Sequence, residues 1–162
     1  MKIIIVDKKD RPIGIKDRND VDYEKDIYRV SALWITNSRG EILLARRAFT
    51  KKQNPGRWGP AVAGTLEDGE TYDGNIIKET EEELGLKNIN PERAAKKLIS
   101  GKYRFFVQWF HLKTDKIAAD FKYDKKEVAE IRWFTKKEII NMVNKKPNDI
   151  IEEEMKMWIE MF

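Results

Sequence analysis

Three glutamates, Glu79, Glu82 and Glu83, stand at positions i, i+3 and i+4 of one polar, alanine-free stretch. On a helix of 3.6 residues per turn their side chains fall within an arc of about 100°. Carboxylates gathered that closely repel one another and attract a cation. The chain has no cysteine and one histidine, His111, so thiolate and multi-histidine metal sites are excluded, as are disulfides and a cysteine nucleophile. A metal held here is held by oxygen, which selects a hard divalent ion such as Mg²⁺ or Mn²⁺.

The elements that must position these acids are legible around them. A glycine loop opens at Gly64 and closes at Glu70, a helix is predicted to begin near Thr71, and Gly85 is a natural stop. Ile76, Ile77, Thr80 and Leu84 form an adjoining, mostly apolar arc, so the helix can lie on a core while holding its acids towards a cleft. Taken alone, Glu81, Glu82 and Glu83 read as a solvated charge run; the surrounding glycines and spacing give them another meaning.

Gly64, Glu70, Glu79, Glu82, Glu83, Gly85 and Leu86 together resemble the signature of the Nudix hydrolase family. Six fixed matches at roughly 7% each arise by chance about once in ten million starting positions. Two positions depart from the family pattern. Thr80 replaces an aliphatic, and Lys78 stands where the family has arginine, whose guanidinium grips a carboxylate at two points where an ammonium grips at one. Lys78 is expected to reach Glu82, four residues on. Gly64, Glu70, Lys78 and Gly85 are therefore expected to support the site.

The resemblance implies an α/β fold: a Nudix α/β/α sandwich with a mixed central sheet, formed by residues 1–162 as one domain. It also implies a divalent-metal-dependent hydrolase that cleaves a diphosphate linkage in a nucleoside diphosphate derivative or nucleotide. Glu79, Glu82 and Glu83 are the implied acidic metal ligands and the backbone carbonyl of Ala63 a further one, with Glu82 or Glu79 as the base. The order of strand, RRAFTKK, Pro-Gly-x-Trp, small residues and glycine is similar to the branch that includes type I isopentenyl-diphosphate isomerase. In that branch residues matching Arg47 and Lys51 hold the diphosphate. Its catalytic cysteine falls on Ala63, one metal-binding histidine on Thr65 and another on Tyr28 or a neighbour, so isomerase chemistry is disfavoured. A non-catalytic nucleotide-binding domain is the other alternative.

The rest of the chain agrees with one globular unit. Hydrophobic residues make up 41% and charged residues 37%, with five Trp, five Tyr and seven Phe to build a core. The net charge of +4 is spread along the chain rather than gathered in a stripe, which speaks against nucleic acid as partner and for a phosphorylated small molecule. No apolar run is long enough for a leader or membrane span, which points to the cytoplasm.

A hairpin is expected over residues 1–15, strands over 28–37 and 41–47, and a cationic loop between Arg46 and the glycine loop, with Trp58 in the core. Two strands follow the acidic helix, then a strand over EVAEIRWFT, a short helix ended by Pro147 and a last helix at about 148–161. The apolar face of that last helix suits its own domain, with a homodimer as the other arrangement. Glu127 and Glu130 read either as an extra acid for the site or as surface charge. Tyr72, Trp109 and Phe121 read as stacking partners or as packing, and His111 as structural.

Overall fold

In the computed structural model, which describes residues 1–162, every layer is arranged about β3 (Ile27–Thr36). This strand alternates two apolar faces: Ala32 and Trp34 point to one side, Leu33 and Ile35 to the other, and all four are buried. A strand buried on both faces needs a layer on each, and the chain supplies them. Along one edge of β3 runs β8 (Arg104–Lys113), parallel from Tyr28↔Phe105 to Thr36↔Lys113, with β7 (Glu92–Ser100) antiparallel beyond it. The opposite edge is shared in series by three partners. They are β1 (Lys2–Val6) at Ile27 and Tyr28, β6 (Val62–Thr65) at Val30 to Leu33, and β4 (Ile42–Arg47) at Ile35 and Thr36.

This serial pairing creates a fork. β3 and β4 stay hydrogen-bonded for only two residue pairs and then diverge, so β4 takes β5 (Trp58–Pro60) on the edge that β3 has left. The chain crosses at Ala61 from β5, beside β4, to β6, beside β3. β9 (Val128–Phe134) covers the far edge of β4, and β2 (Pro12–Asp17) covers β1, extending the opening hairpin to Asp17. The segment before Gly64, read from its Pro and Gly content as a loop, thus contains two short strands. Turn residues masked them, because β5 and β6 are only three and four residues long.

One helix covers one face and two cover the other. α1 (Tyr72–Leu84) packs with Leu33, Ile35, Leu43, Phe110 and Ile131. α2 (Lys136–Lys145) and α3 (Glu152–Met161) pack with Trp34, Trp58, Trp109 and Phe134. Trp34 and Trp109 stack with ring centroids 4.6 Å apart at the centre of that second layer. The expected α/β/α sandwich with a mixed sheet is the observed architecture.

Two sequence expectations are corrected. Ile77 is exposed, and the buried face of α1 is Tyr72, Asn75, Ile76, Thr80 and Leu84; the buried stripe is rotated by part of a turn, and Thr80 satisfies its hydroxyl on the Ile76 carbonyl at 2.6 Å. The last helix begins at Glu152 rather than near 148. Pro147–Asp149 form a 3-10 turn, and the Ile151 amide donates to the Trp58 carbonyl at 2.8 Å, which leashes the helix start to β5. Met155, Met157 and Trp158 are buried against the same chain, so the apolar face of α3 is used within the domain. No helix is long and apolar enough to cross a membrane.

Candidate active site

The fork is where the acidic helix meets the sheet. β6 ends at Gly64 and Thr65, and the next turn leads into α1. A side chain on residue 64 would place its Cβ 2.4 Å from Glu79 Cγ and 2.6 Å from its Cδ, far inside contact distance. Glycine there is what lets Glu79 lie flat against β6. Thr71 caps the helix by accepting from the Gly74 amide at 3.1 Å, a cap worth about 1 kcal/mol. Gly85 closes it in the left-handed region, φ 67°, with its amide donating to the Glu81 carbonyl.

Glu70 holds the loop in shape without facing the cleft. Its Oε2 accepts from the Glu67 amide at 2.9 Å and from Asn75 Nδ2 at 2.8 Å, while Oε1 takes Lys78 Nζ at 2.6 Å. Burial pushes this carboxyl up, but Lys78, the Glu67 amide and Asn75 outweigh it and hold it below its ordinary value. Lys78 also lies 3.6 Å from both Glu67 and Glu79 and makes no pair with Glu82, which corrects the expected i to i+4 contact. Helical side chains lean towards the N-terminus, and the loop acids wait there. Asn75, which sequence reading passed over, is fully buried and links four elements of the site: it receives the Ser31 hydroxyl of β3 and donates to Glu70, to the Thr65 carbonyl and, at 3.4 Å, to Glu79.

The acids themselves are uncomfortable. Burial raises Glu79, Lys78 draws it back, and Glu82 and Glu70 push it up again. Burial raises Glu83 further, with Glu79 and Glu127 adding to it against Arg47 and Lys51, to about 8. Glu82 is the exposed member at the rim. No three acidic side chains already converge on one point, so closing around a cation takes side-chain rotation. The donor set, all oxygen, with two carboxyls that repel protons poorly until a positive charge arrives, fits a hard divalent ion.

Arg47, Lys51, Ala63, Gly64, Lys78, Glu79, Glu82 and Glu83, drawn from four elements, line one cleft of about 490 Å³. Arg47 Nε donates to the Gln53 carbonyl at 2.9 Å, and Lys51 pairs with Glu127, so the cationic loop is braced by the turn that leads into β9. Glu127 lines the cleft, whereas Glu130 sits on the outside near Arg46 at 3.9 Å. Tyr72, Trp109 and Phe121 are all buried in the core. The aromatic rings in the cleft wall are Tyr28, Tyr103 and Phe105 instead. His111 lies outside it, with Nε2 2.6 Å from the Thr36 hydroxyl and Phe162 against its ring.

One further acid enters from the other helical layer. Glu154 of α3 lines the cleft, and its Oε2 is sealed from solvent with no hydrogen-bond partner. The residue as a whole is half-buried, and burial pushes its carboxyl up to about 7, with Arg47 opposing and Glu153 adding. Its position in EEEMKMW reads as one acid in a charged first turn, but three residues after Ile151 and four before Trp158 it lies on the inward arc, and the break between β3 and β4 leaves room for it there.

A NUDIX domain family model matches residues 26–159. An uncharacterized Nudix hydrolase of Nostoc sp., all7351, is 30% identical over 87% of this chain and 84% of its own. Another, PA4841 of Pseudomonas aeruginosa, is 36% identical over 51% of this chain and 49% of its own. The isopentenyl-diphosphate Delta-isomerase of Klebsiella pneumoniae is 28% identical over 52% of this chain and 47% of its own, so the chain spans about half the length of these last two relatives. The crystal structure of DR0079 from Deinococcus radiodurans superposes with a TM-score of 0.81 at 19% identity, over 97% of this chain and 98% of that one, a likeness of fold. With the glycine loop, the capped acidic helix and the forked sheet all in the family's order, the chain belongs to the Nudix family.

Proposed function

We propose that this chain is a divalent-metal-dependent hydrolase that cleaves a diphosphate linkage in a nucleoside diphosphate derivative or nucleotide. The observation that carries the reading is the meeting, in one cleft, of the α1 acids with the Arg47 and Lys51 cations. For this chemistry a phosphate oxygen and a cation-binding carboxylate must lie side by side.

Glu79 and Glu83 hold Mg²⁺ or Mn²⁺, with Glu82 assisting and the Ala63 backbone carbonyl as a further ligand. Once bound, such an ion neutralises charge on the phosphate oxygens and lowers the pKa of a water into nucleophile range. Arg47 and Lys51 hold the diphosphate, Lys51 by turning from Glu127 to the substrate. Glu82, at the exposed rim, or Glu79 takes the proton of the attacking water at its carboxylate. Gly64 lets Glu79 close on the strand, and Glu70, Lys78 and Gly85 fix the loop and helix that carry the acids.

The isomerase reading draws on the likeness to the Klebsiella enzyme, but this chain has no cysteine to serve it. The test is phosphate release, coupled to a phosphatase, from nucleoside di- and triphosphates, nucleotide sugars and dinucleoside polyphosphates. Wild type is compared with Glu82→Gln and Glu83→Gln. Metal-dependent turnover that falls by about two to four orders of magnitude in the variants is expected. Turnover indifferent to metal, or unchanged in both variants, would sink the proposal. Nucleotide binding with no turnover would leave a binding domain built on a hydrolase fold.

A further inference from the structure

We infer that Glu154 is a specificity-determining residue, reading a hydrogen-bond donor on the organic group of the substrate while the phosphates lie across the cleft at Arg47 and Lys51. This inference rests on the hydrolase reading and adds a substrate class to it: a diphosphate whose organic end is a ring system or sugar carrying N–H or O–H donors, rather than a hydrocarbon chain.

An unpartnered buried oxygen costs stability. Native proteins pair nearly all buried polar atoms, and one left without a partner needs a reason. No protein donor reaches Glu154 Oε2. The helix itself turns the position inward: Glu154 stands three residues after Ile151 and four before the buried Trp158, on the arc that faces the sheet, where an apolar residue would be the ordinary occupant. The surroundings are shaped to admit the carboxyl: Gly59 of β5 faces it, and a Cβ on Gly59 would lie 3.5 Å from Oε2 and 2.8 Å from Ile151 Cδ1. The residue that leaves the room and the residue that fills it come from opposite sides of the fork.

The direction of the cleft says what meets it. At one end lie the cationic loop and the α1 acids, where phosphate belongs. At the other lie Val30, Tyr28, Tyr103 and Phe105, a wall of flat, mostly apolar surface. Tyr28 and Phe105 pack with ring centroids 5.5 Å apart, and Tyr23 braces both Tyr28 and Tyr103 edge-on from behind. Glu153, the residue before it on α3, lies against the turn that carries Tyr103, where a Cβ on Gly101 would be 3.5 Å from Glu153 Oε1, so this part of the helix borders that end of the cleft. A flat apolar wall beside a lone acceptor suits a planar group with donors on its edge. An isoprenoid tail offers no donor and would leave the carboxyl unpaired.

The test measures kcat/KM with Mg²⁺ for matched pairs of 5′-diphosphates that differ by one donor. These are cytidine against its analogue with hydrogen in place of the 4-amino group, guanosine against inosine, and each ribonucleotide against its 2′-deoxy form. Wild type is expected to favour the donor-bearing member of at least one pair by about tenfold or more, since a site built for a donor rejects the analogue lacking it. In Glu154→Gln that preference is expected to fall to about threefold or less. A base pair responding identifies a ring N–H, and the deoxy pair identifies a sugar hydroxyl. No preference in wild type, or the same preference in the variant, overturns the inference; a merely structural role would lower all substrates together and leave the ratio intact. If nothing is hydrolysed, the hydrolase reading fails by itself, and calorimetric Kd values for the same pairs decide the role of Glu154 by the same ratios.

Discussion

α1 and α3 send glutamates into one cleft from opposite faces of the sheet, and the two helices treat them differently. Around α1 the acids are woven into a frame: Glu70 has three partners, and Glu79 has Lys78 and Asn75 within 3.6 Å. On α3, Glu154 is left bare. The contrast teaches that charge in a cleft is not one kind of feature. The α1 acids are aimed by neighbours that also limit their repulsion, as the proposed cation site requires, whereas Glu154 has no protein donor to fix it, as the proposed recognition role requires.

The strongest way to break the α1 side is to push Glu79 off its strand. Gly64→Ala puts a methyl group 2.4 Å from Glu79 Cγ, and the overlap is with the middle of the side chain rather than its free end. The helix must lift or Glu79 must leave its rotamer. Turnover is expected to fall by about a hundredfold, because small misplacements of reacting groups cost that much. Stability should fall by about 1 to 3 kcal/mol, the usual cost of overpacking. Urea unfolding and steady-state kinetics on the same preparation separate the two; full activity in Gly64→Ala would mean that the close approach of Glu79 to β6 is not needed.

The α3 side is sharpened by pH. The folded-state value for Glu154 is raised to about 7 from an ordinary 4.5. Between those values the folded chain keeps a proton that the unfolded chain has released, so stability is full below about pH 4.5 and is lost as pH rises towards 7. At 1.36 kcal/mol per unit the loss attributable to Glu154 is about 3 kcal/mol at most. Arg47 of β4 pulls against the shift and Glu153 of α3 adds to it, with the Tyr28 hydroxyl of β3 also in range. Since Glu154→Gln has no such proton to lose, its stability relative to wild type should improve by about 1 to 3 kcal/mol between pH 5 and pH 8. Denaturant midpoints at the two pH values measure this, and a pH-independent difference would mean the carboxyl is already ionised and solvated.

How much of each side could be read beforehand follows from the same contrast. The acids of α1 are legible because a helix repeats, so Glu79, Glu82 and Glu83 announce a shared face and Thr71 and Gly85 mark its ends. The α/β/α layering was legible through the family resemblance that these acids and glycines carry. Strands β5 and β6 were not, because their Gly and Pro content belongs to turn chemistry and their pairing is set by the fork, a tertiary feature. Asn75 was hidden for a related reason: a buried amide has no periodic signature, and its partners Ser31 and Glu70 lie far away in sequence or across a turn. Glu154 went unremarked among three acids in a row, although its spacing, three residues after Ile151 and four before Trp158, puts it alone of the three on the inward arc. Only the diverging strands give one of the three a cavity to enter.

The smallest effect concerns the lysine that replaces the family's arginine. Lys78 Nζ touches Glu70 Oε1 at 2.6 Å and stands 3.6 Å from Glu67 and Glu79, so a single ammonium already serves the loop and the first acid of the helix. The side chain is 35% exposed, which screens these pairs and keeps each well under 1 kcal/mol. Lys78→Arg would offer a planar fork able to take Glu70 and Glu79 together. Because Glu70 Oε2 is already fixed by the Glu67 amide and Asn75, the fork adds orientation mainly at Glu79. The expected gain in kcat/KM is about two- to threefold, with a change in stability of about 0.5 kcal/mol or less. A rise beyond tenfold would show that the ammonium leaves the acids poorly aimed and that the α1 frame is looser than its hydrogen bonds suggest. A fall would show that the larger head group cannot fit between the loop and the helix, and that this frame is built around lysine.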